Sequence, residues 1–185
     1  MTVDDFPLER LDADGLTPAR AQSLTALIRD AVTDGAALGW VLPPDAEELT
    51  ALFGALADGI AINNAATAVV LAPSSTNDVV AFGYWRRYSR PTNWPQADLP
   101  LLVVRPSERR QGLAGTLLDE LIAAAREKGI EQITLDARGD NLVAQTLWRS
   151  RGFTQYGLLR DFVAVGERRF DKTFWVLDLR AAPVG

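Results

Sequence analysis

Apolar residues recur along the chain with two periods, and the change from one to the other marks out its elements. Behind Thr17-Pro18, residues Leu24, Leu27, Ile28, Ala31 and Val32 stand at i, i+3, i+4, i+7 and i+8, the spacing of a helix that buries one face. Threonine is an N-cap there, and proline suits a first turn whose N–H would have no partner. Leu49, Leu52, Phe53, Leu56, Ala57 and Ile60 repeat the spacing after Asp45 and Glu48, a start resembling a capping box behind Pro43-Pro44. From Ala65 the period shortens. AATAVVLA and VVAFGYWRRY are rich in Val and aromatic residues and are separated by PSSTND, which predicts an antiparallel hairpin turning at Pro73–Asp78.

PTNWPQ interrupts the chain before ADLPLLVV, a strand in which Pro100 implies a bulge or a missing ladder bond. After RPSERRQG, residues Leu113, Leu117, Leu118, Leu121, Ile122 and Ala125 form one face of a long helix closed by Gly129 in the left-handed conformation. EQITLDAR reads as a strand. Asp140 is placed to cap a short helix carrying Val143, Ala144, Leu147 and Trp148 and closed by Gly152. FTQYGLLRDFVAV and RFDKTFWVLDLR then predict two antiparallel strands joined at GERR, and the tail AAPVG is expected to fray. No repeat, linker or charge block divides the 185 residues. They read as one α/β (α+β) domain, 1–185, with a mixed sheet.

Composition removes whole chemistries. The chain has no Cys and no His, so it holds no disulfide, thiolate nucleophile, imidazole zinc site or Ser-His-Asp triad, and no metal is expected. Any proton acceptor is Asp, Glu, Tyr, Lys, a chain terminus or water. Only Lys128 and Lys172 are lysine among 19 basic residues, so the positive charge is almost all guanidinium. That suits bidentate contacts to phosphate or carboxylate, or simply reflects codon usage. A net charge of -5 argues against nucleic acid or a membrane surface as partner. The acidic amino terminus lacks the apolar stretch of a signal peptide. The longest apolar runs, Ala65–Ala72 and Leu99–Val104, fall short of the roughly 18 residues of a membrane helix. A cytoplasmic location is expected.

The most specific local feature is Arg109-Arg110-Gln111-Gly112-Leu113-Ala114-Gly115-Thr116, between a strand and a helix. The first turn of a helix leaves backbone N–H groups unpaired and concentrates partial positive charge, which together bind phosphate. Gly112, Ala114 and Gly115 keep that turn bare. No Gly-Lys-Ser/Thr ending makes it a nucleoside-triphosphate loop, and no full GxGxxG makes it a dinucleotide site. A plain βα turn with small residues for close packing fits the same letters.

The turn sits in a longer order: strand LLVV, RxxGxA, helix, strand ITLDA, then Asn141, Ala144, Leu147-Trp148 and Gly152-Phe153. This block, roughly Ala97 to Leu179, resembles the GNAT acetyltransferases. The resemblance implies a GNAT-like mixed, mostly antiparallel sheet of about seven strands with about four helices and a splayed central pair of parallel strands. It also implies transfer of acetyl from acetyl-CoA, as cosubstrate, to a primary amine of a small molecule or peptide by direct attack in a ternary complex. In that family the RxxGxA segment holds the coenzyme A pyrophosphate, here Arg109, Arg110, Gln111, Gly112, Leu113, Ala114, Gly115 and Thr116. The preceding strand, here Leu102, Val103 and Val104, pairs with the pantetheine arm, and a strand amide near Leu102 or Val103 polarises the thioester carbonyl. Asn141 and Trp148 belong to the next helix of the cofactor site. DGAALGWVLPPDAEE, TNWPQADLPLLVV, ITLDA and YGLLRDF are also similar to the bacterial branch that includes the tabtoxin resistance protein. That branch's His and Arg are not reproduced, and Gln96 stands at the arginine.

Asp98 and Asp136 are the acidic residues this branch places on the central strands. A carboxylate there can take the amine's proton, directly or through water, and attract a cationic substrate. Two neighbouring carboxylates also tend to push one pKa upward. A solvated strand start for Asp98 and a strand-end cap for Asp136 are the plainer alternatives. Trp148 stands where the family commonly has a tyrosine able to protonate the leaving thiolate, which an indole cannot do. Packing is its better reading, with Tyr156 or solvent supplying the proton. Arg105, Arg109 and Arg110 form a basic cluster that a phosphate-rich cofactor, or a solvated loop, explains. Trp40, Tyr84, Trp85 and Trp94 line either an acceptor pocket or the core. A catalytically weak coenzyme A-binding regulatory domain, and a nucleotide-phosphate βα protein, are the rival readings. The chain is expected to act as a monomer or homodimer.

Overall fold

The computed structural model describes residues 5–62, 65–73 and 78–180. Residues 1–4, the turn residues 74–77 of the expected hairpin and the tail 181–185 lie outside it. Four helices, α1 (Pro18–Thr33), α2 (Ala46–Ala61), α3 (Leu113–Glu127) and α4 (Leu142–Ser150), accompany seven strands. The strands are β1 (Leu8–Leu11), β2 (Ala66–Leu71), β3 (Ala81–Arg87), β4 (Gln96–Val104), β5 (Gln132–Arg138), β6 (Thr154–Val165) and β7 (Arg168–Asp178). Their order is β1-β2-β3-β4-β5-β7-β6. The described residues of Met1–Arg86 and Leu101–Lys128 form one compact unit, and those of Arg87–Pro100 and Gly129–Gly185 a second.

In the first unit β1, β2 and β3 are antiparallel neighbours, with Leu11 opposite Ala68 and Val70 opposite Phe82. All six residues of β2 are buried, because helices cover both of its faces. Ala66, Ala68, Val70, Phe82 and Tyr84 pack with Leu24, Leu27 and Ile28 of α1 and Leu49, Phe53 and Leu56 of α2. The alternate face meets α3: the Trp85 indole donates to the Leu121 carbonyl at 3.1 Å, and Gly83 leaves room for Leu117 and Leu121. Arg10 of β1 pairs with Glu120 and Glu127 of α3. The helix starts follow the sequence rules. Thr17 Oγ1 accepts from the Arg20 N–H and Asp45 Oδ1 from the Glu48 N–H. Glu48 does not complete a capping box; its carboxylate accepts the Trp40 indole N–H at 2.7 Å instead. Strand β1 has no counterpart in the sequence reading, because the four residues LERL carry too little alternation to signal a strand.

The second unit contains the parallel pair. Gln96, Ala97 and Asp98 of β4 register with Gln132, Ile133 and Thr134 of β5. The ladder stops there, although β5 runs on to Arg138, giving the expected splay. Pro100, exposed, stands two residues beyond the last registered residue, Asp98. β7 runs antiparallel to both β5 and β6, and a bulge between Leu159 and Val163 of β6 contains Asp161 at φ 51°. Two local expectations for α4 are corrected. Its cap is Asn141, whose Oδ1 accepts from the Ala144 N–H at 3.3 Å, whereas Asp140 accepts from Arg138 Nε at 2.6 Å. Its buried residues are Gln145 and Trp148, while Val143 is 84% exposed. The buried Gln145 amide is satisfied by the Gly139 carbonyl, so a polar residue occupies a position that apolar spacing alone would not choose.

Candidate active site

The residues expected to hold a phosphate-rich cofactor lie in the first unit. Leu102 and Val104 of β4 are half-buried, and Val103 is in the core. Beyond β4, Arg105 is committed to structure. Its N–H donates to the Val80 carbonyl at 2.7 Å, and its guanidinium donates to the Val79 carbonyl at 3.0 Å and faces Asp78 at 3.8 Å. The basic cluster thereby narrows to Arg109 and Arg110, and Arg109 pairs with Asp34 at 2.5 Å. Gln111 Nε2 donates to Glu108, while its Oε1 is buried with no hydrogen-bond partner among the described residues.

Gly112 is the N-cap of α3 at φ 86°, and no side chain caps the helix. Arg110 is also left-handed, at φ 66°. The Gly115 and Thr116 amides return to the Gly112 carbonyl at 2.9 and 3.1 Å. Leu113 and Gly115 are buried, so this turn presents backbone rather than side chains to a ligand. A left-handed glycine opening a bare helix N-terminus fits a pyrophosphate, since the positive helix end faces the anion with no Cβ in the way.

The candidate carboxylates lie in the second unit, on one face. Burial alternates along β4 and β5 so that Asp98, Thr134 and Asp136 point away from the core, and the register sets Thr134 beside Asp98 and Phe174 beside Asp136. Thr134 Oγ1 donates to the Ala97 carbonyl at 3.3 Å, so the Tyr88 hydroxyl, 2.7 Å away, is the donor to Thr134. Lys172 of β7 meets Asp136 Oδ2 at 3.0 Å, with the Phe162 and Phe174 rings 5.7 and 5.6 Å from its ammonium. Tyr156 lies 6.0 Å from the Phe174 ring. Desolvation, then the negative charge that Tyr88, Asp136 and Asp98 can carry, pushes its phenol above the ordinary range. Tyr88, Asp136 and Asp98 are thus within electrostatic reach of Tyr156.

Helix α4 packs on the opposite face, where Arg149 lies over the Trp175 ring and Gly152 approaches Leu177. Trp148 is buried edge-on to Phe153 at 6.2 Å, and its indole N–H has no hydrogen-bond partner among the described residues. Asn141 spends its side-chain oxygen on the helix cap. Asp98 and Asp136, expected on the two central strands, share one face there, whereas Tyr88, Thr134, Lys172, Phe162 and Phe174 have no place in the sequence reading. Only the scarcity of lysine could have drawn attention to one of these. Of the aromatic residues weighed for a pocket, Trp85 and Tyr84 are core, Trp40 packs against the core, and Trp94 is exposed beneath Arg87.

Among known proteins, residues 30–153 match the acetyltransferase (GNAT) family. Over 84 residues, 45% of this chain, it is 30% identical to the ribosomal protein bS18-alanine N-acetyltransferase of Escherichia coli (strain K12), and it spans a little over half, 57%, of that relative's length. Many solved structures share the fold. A ribosomal-protein-alanine N-acetyltransferase from Brucella melitensis superposes with a TM-score of 0.77 at 22% identity, covering 94% of this chain and 99% of that one. A putative acetyltransferase from Salmonella typhimurium, solved with acetyl-CoA, gives 0.78 at 22% identity, covering 96% and 97%. These likenesses support the family and do not extend to the tabtoxin resistance branch.

Proposed function

This chain belongs to the acetyltransferase (GNAT) family, and we propose that it moves an acetyl group from acetyl-CoA to a primary amine of a small molecule or peptide. The observation that carries this reading is the uncapped start of α3 at left-handed Gly112, a turn suited to a pyrophosphate. The reading takes residues 1–185 as one N-acetyltransferase domain, acting in the cytoplasm as a monomer or homodimer. The pyrophosphate sits at the bare start of α3, formed by Gly112, Leu113, Ala114, Gly115 and Thr116, with Arg109, Arg110 and Gln111 beside it. The strand amides of Leu102, Val103 and Val104 hold the pantetheine arm and polarise the carbonyl. Asn141 and Trp148 complete the cofactor side, the latter by packing.

Bound acetyl-CoA supplies an activated thioester. The chain's own part is to hold the amine and take its proton, and Asp98 and Asp136 are the groups for that work, on a face that also carries Tyr88 and Tyr156. Tyr156, its phenol pushed upward, stays protonated at neutral pH and can donate a hydrogen bond there. Two of the similar proteins are named for N-acetylation of a ribosomal-protein alanine, so a peptide amine is a sensible first probe.

The test is a panel of amines and peptide amino termini incubated with acetyl-CoA while free thiol is followed, alongside thermal shift with coenzyme A. Thiol release matched by amide formation with at least one amine is expected. Stabilisation by coenzyme A without turnover on any acceptor would instead favour the regulatory binding module, which the non-acidic Trp148 allows. Stabilisation by ATP but not by coenzyme A would refute both.

A further inference from the structure

We propose that Lys172 is a site of self-acetylation, an acceptor amine built into the protein. This rests on the acetyl-transfer reading above. Primary amines are scarce in this chain, since Lys128 and Lys172 are its only lysines. One of the two lies against a carboxylate assigned to proton removal: Lys172 Nζ is 3.0 Å from Asp136 Oδ2. The contact is diagonal across the β5–β7 ladder, where Asp136 faces Phe174 and Arg138 faces Lys172. Phe162 and Phe174 flank the ammonium at 5.7 and 5.6 Å. A carboxylate with two aromatic rings is an environment that recognises an alkylammonium ion, and here its occupant is the chain's own side chain. The pair is partly open to solvent, with the lysine side chain 25% and the aspartate 49% exposed. Such pairs are weakly held, so the amine is free to leave the carboxylate. Lys128 is the built-in control. It closes α3 in the first unit, over the Trp85 ring at 5.8 Å.

The chemistry balances with acetyl-CoA as the only co-reactant. Asp136 takes one proton from the Lys172 ammonium, and neutral Nζ attacks the thioester carbonyl carbon. The N–C bond forms as the C–S bond breaks, and the leaving sulfur gains the second proton that nitrogen gives up. Asp136 then returns its proton to water. The products are N-acetyl-lysine, coenzyme A thiol and one proton. Acetylation removes the charge that pairs with Asp136 and faces both rings.

The experiment is a time course of wild-type protein with acetyl-CoA and no added acceptor, read by mass spectrometry of peptides containing Lys172 and Lys128. Acetylation of Lys172 at least about tenfold faster than Lys128 is expected, with one thiol released per acetyl group. In Asp136→Asn the Lys172 rate should fall by about tenfold or more while Lys128 is unchanged, as loss of a general base requires. Gly112→Ala, which leaves the Lys172 surroundings intact, should slow Lys172 alone. Acetic anhydride should erase the preference, because it needs no bound thioester. Equal slow labelling of both lysines, with amines of the panel still turned over, overturns the inference and leaves the enzymatic reading standing. Preferential labelling undiminished in Asp136→Asn overturns the role given to Asp136. If coenzyme A does not bind and no amine is turned over, the enzymatic reading falls and takes the inference with it.

Discussion

Replacing Gly112 separates two effects that the structure makes calculable. At φ 86° an L-residue costs about 1–2 kcal/mol of backbone strain. In a chain of this length about 1 kcal/mol lowers Tm by roughly 2–4 °C, so Gly112→Ala should melt about 2–8 °C lower by calorimetry. With a typical stability of about 5–15 kcal/mol the variant stays folded. On the proposed reading the same Cβ crowds the pyrophosphate, and affinity for coenzyme A, measured by titration calorimetry, should fall at least about tenfold, or roughly 1.4 kcal/mol. Gly112→Asn distinguishes the causes. Asparagine tolerates the left-handed region, so its Tm should lie nearer wild type, while its side chain should weaken coenzyme A as much as alanine does. A folded alanine variant with unchanged affinity refutes the phosphate assignment, and one with unchanged Tm refutes the strain argument.

Three other outcomes are expected. Asn in place of Asp98 or Asp136 should lower turnover by about 10²–10⁴ at whichever is the base, abolishing the rising limb of kcat/KM with pH, and should mainly raise KM at the other; near-full activity in both variants excludes them. In alkaline titration followed by tyrosinate absorbance, Tyr156 should ionise above its ordinary value of about 10. The folded state then holds that proton longer than the unfolded one, so the associated stability is present below the unfolded pKa and lost as pH rises through the folded one. Tyr156→Phe should delete one upward-shifted step and flatten this loss, and an unchanged titration would contradict the nearness of Tyr88, Asp136 and Asp98 to Tyr156. Finally, Gly83→Ala would set a Cβ 3.0 Å from Leu121 Cδ1 and 3.2 Å from the Leu101 carbonyl. The leucine end can yield but the backbone carbonyl cannot, so a loss of about 1–3 kcal/mol is expected as a lowered denaturation midpoint; an unchanged midpoint means that β3 shifts to make room.

What the chain determined by itself is local. The starts at Thr17 and Asp45, the buried stripe Leu113, Leu117, Leu118, Leu121 and Ile122, and the left-handed closures at Gly129 and Gly152 all depend on neighbours within a few residues. The bare turn at Gly112 was legible for the same reason, since it is a property of one short segment. Where a choice within one turn depended on distant groups, sequence reasoning failed. Asp140 and Asn141 are equally good caps on paper, and Arg138 engages the aspartate while asparagine takes the cap. Strand β1 exists because Leu8–Leu11 finds an edge on β2, a partner some sixty residues away that no local period announces. The carboxylate face is the clearest case. Asp98 and Asp136 could be guessed one at a time, but Tyr88, Thr134, Lys172 and Phe162 join them only through strand registers and a bulge in β6. Pairing between strands distant in the chain is set by which faces can be buried together, and a shift of one residue would turn every one of these side chains to the other side of the sheet.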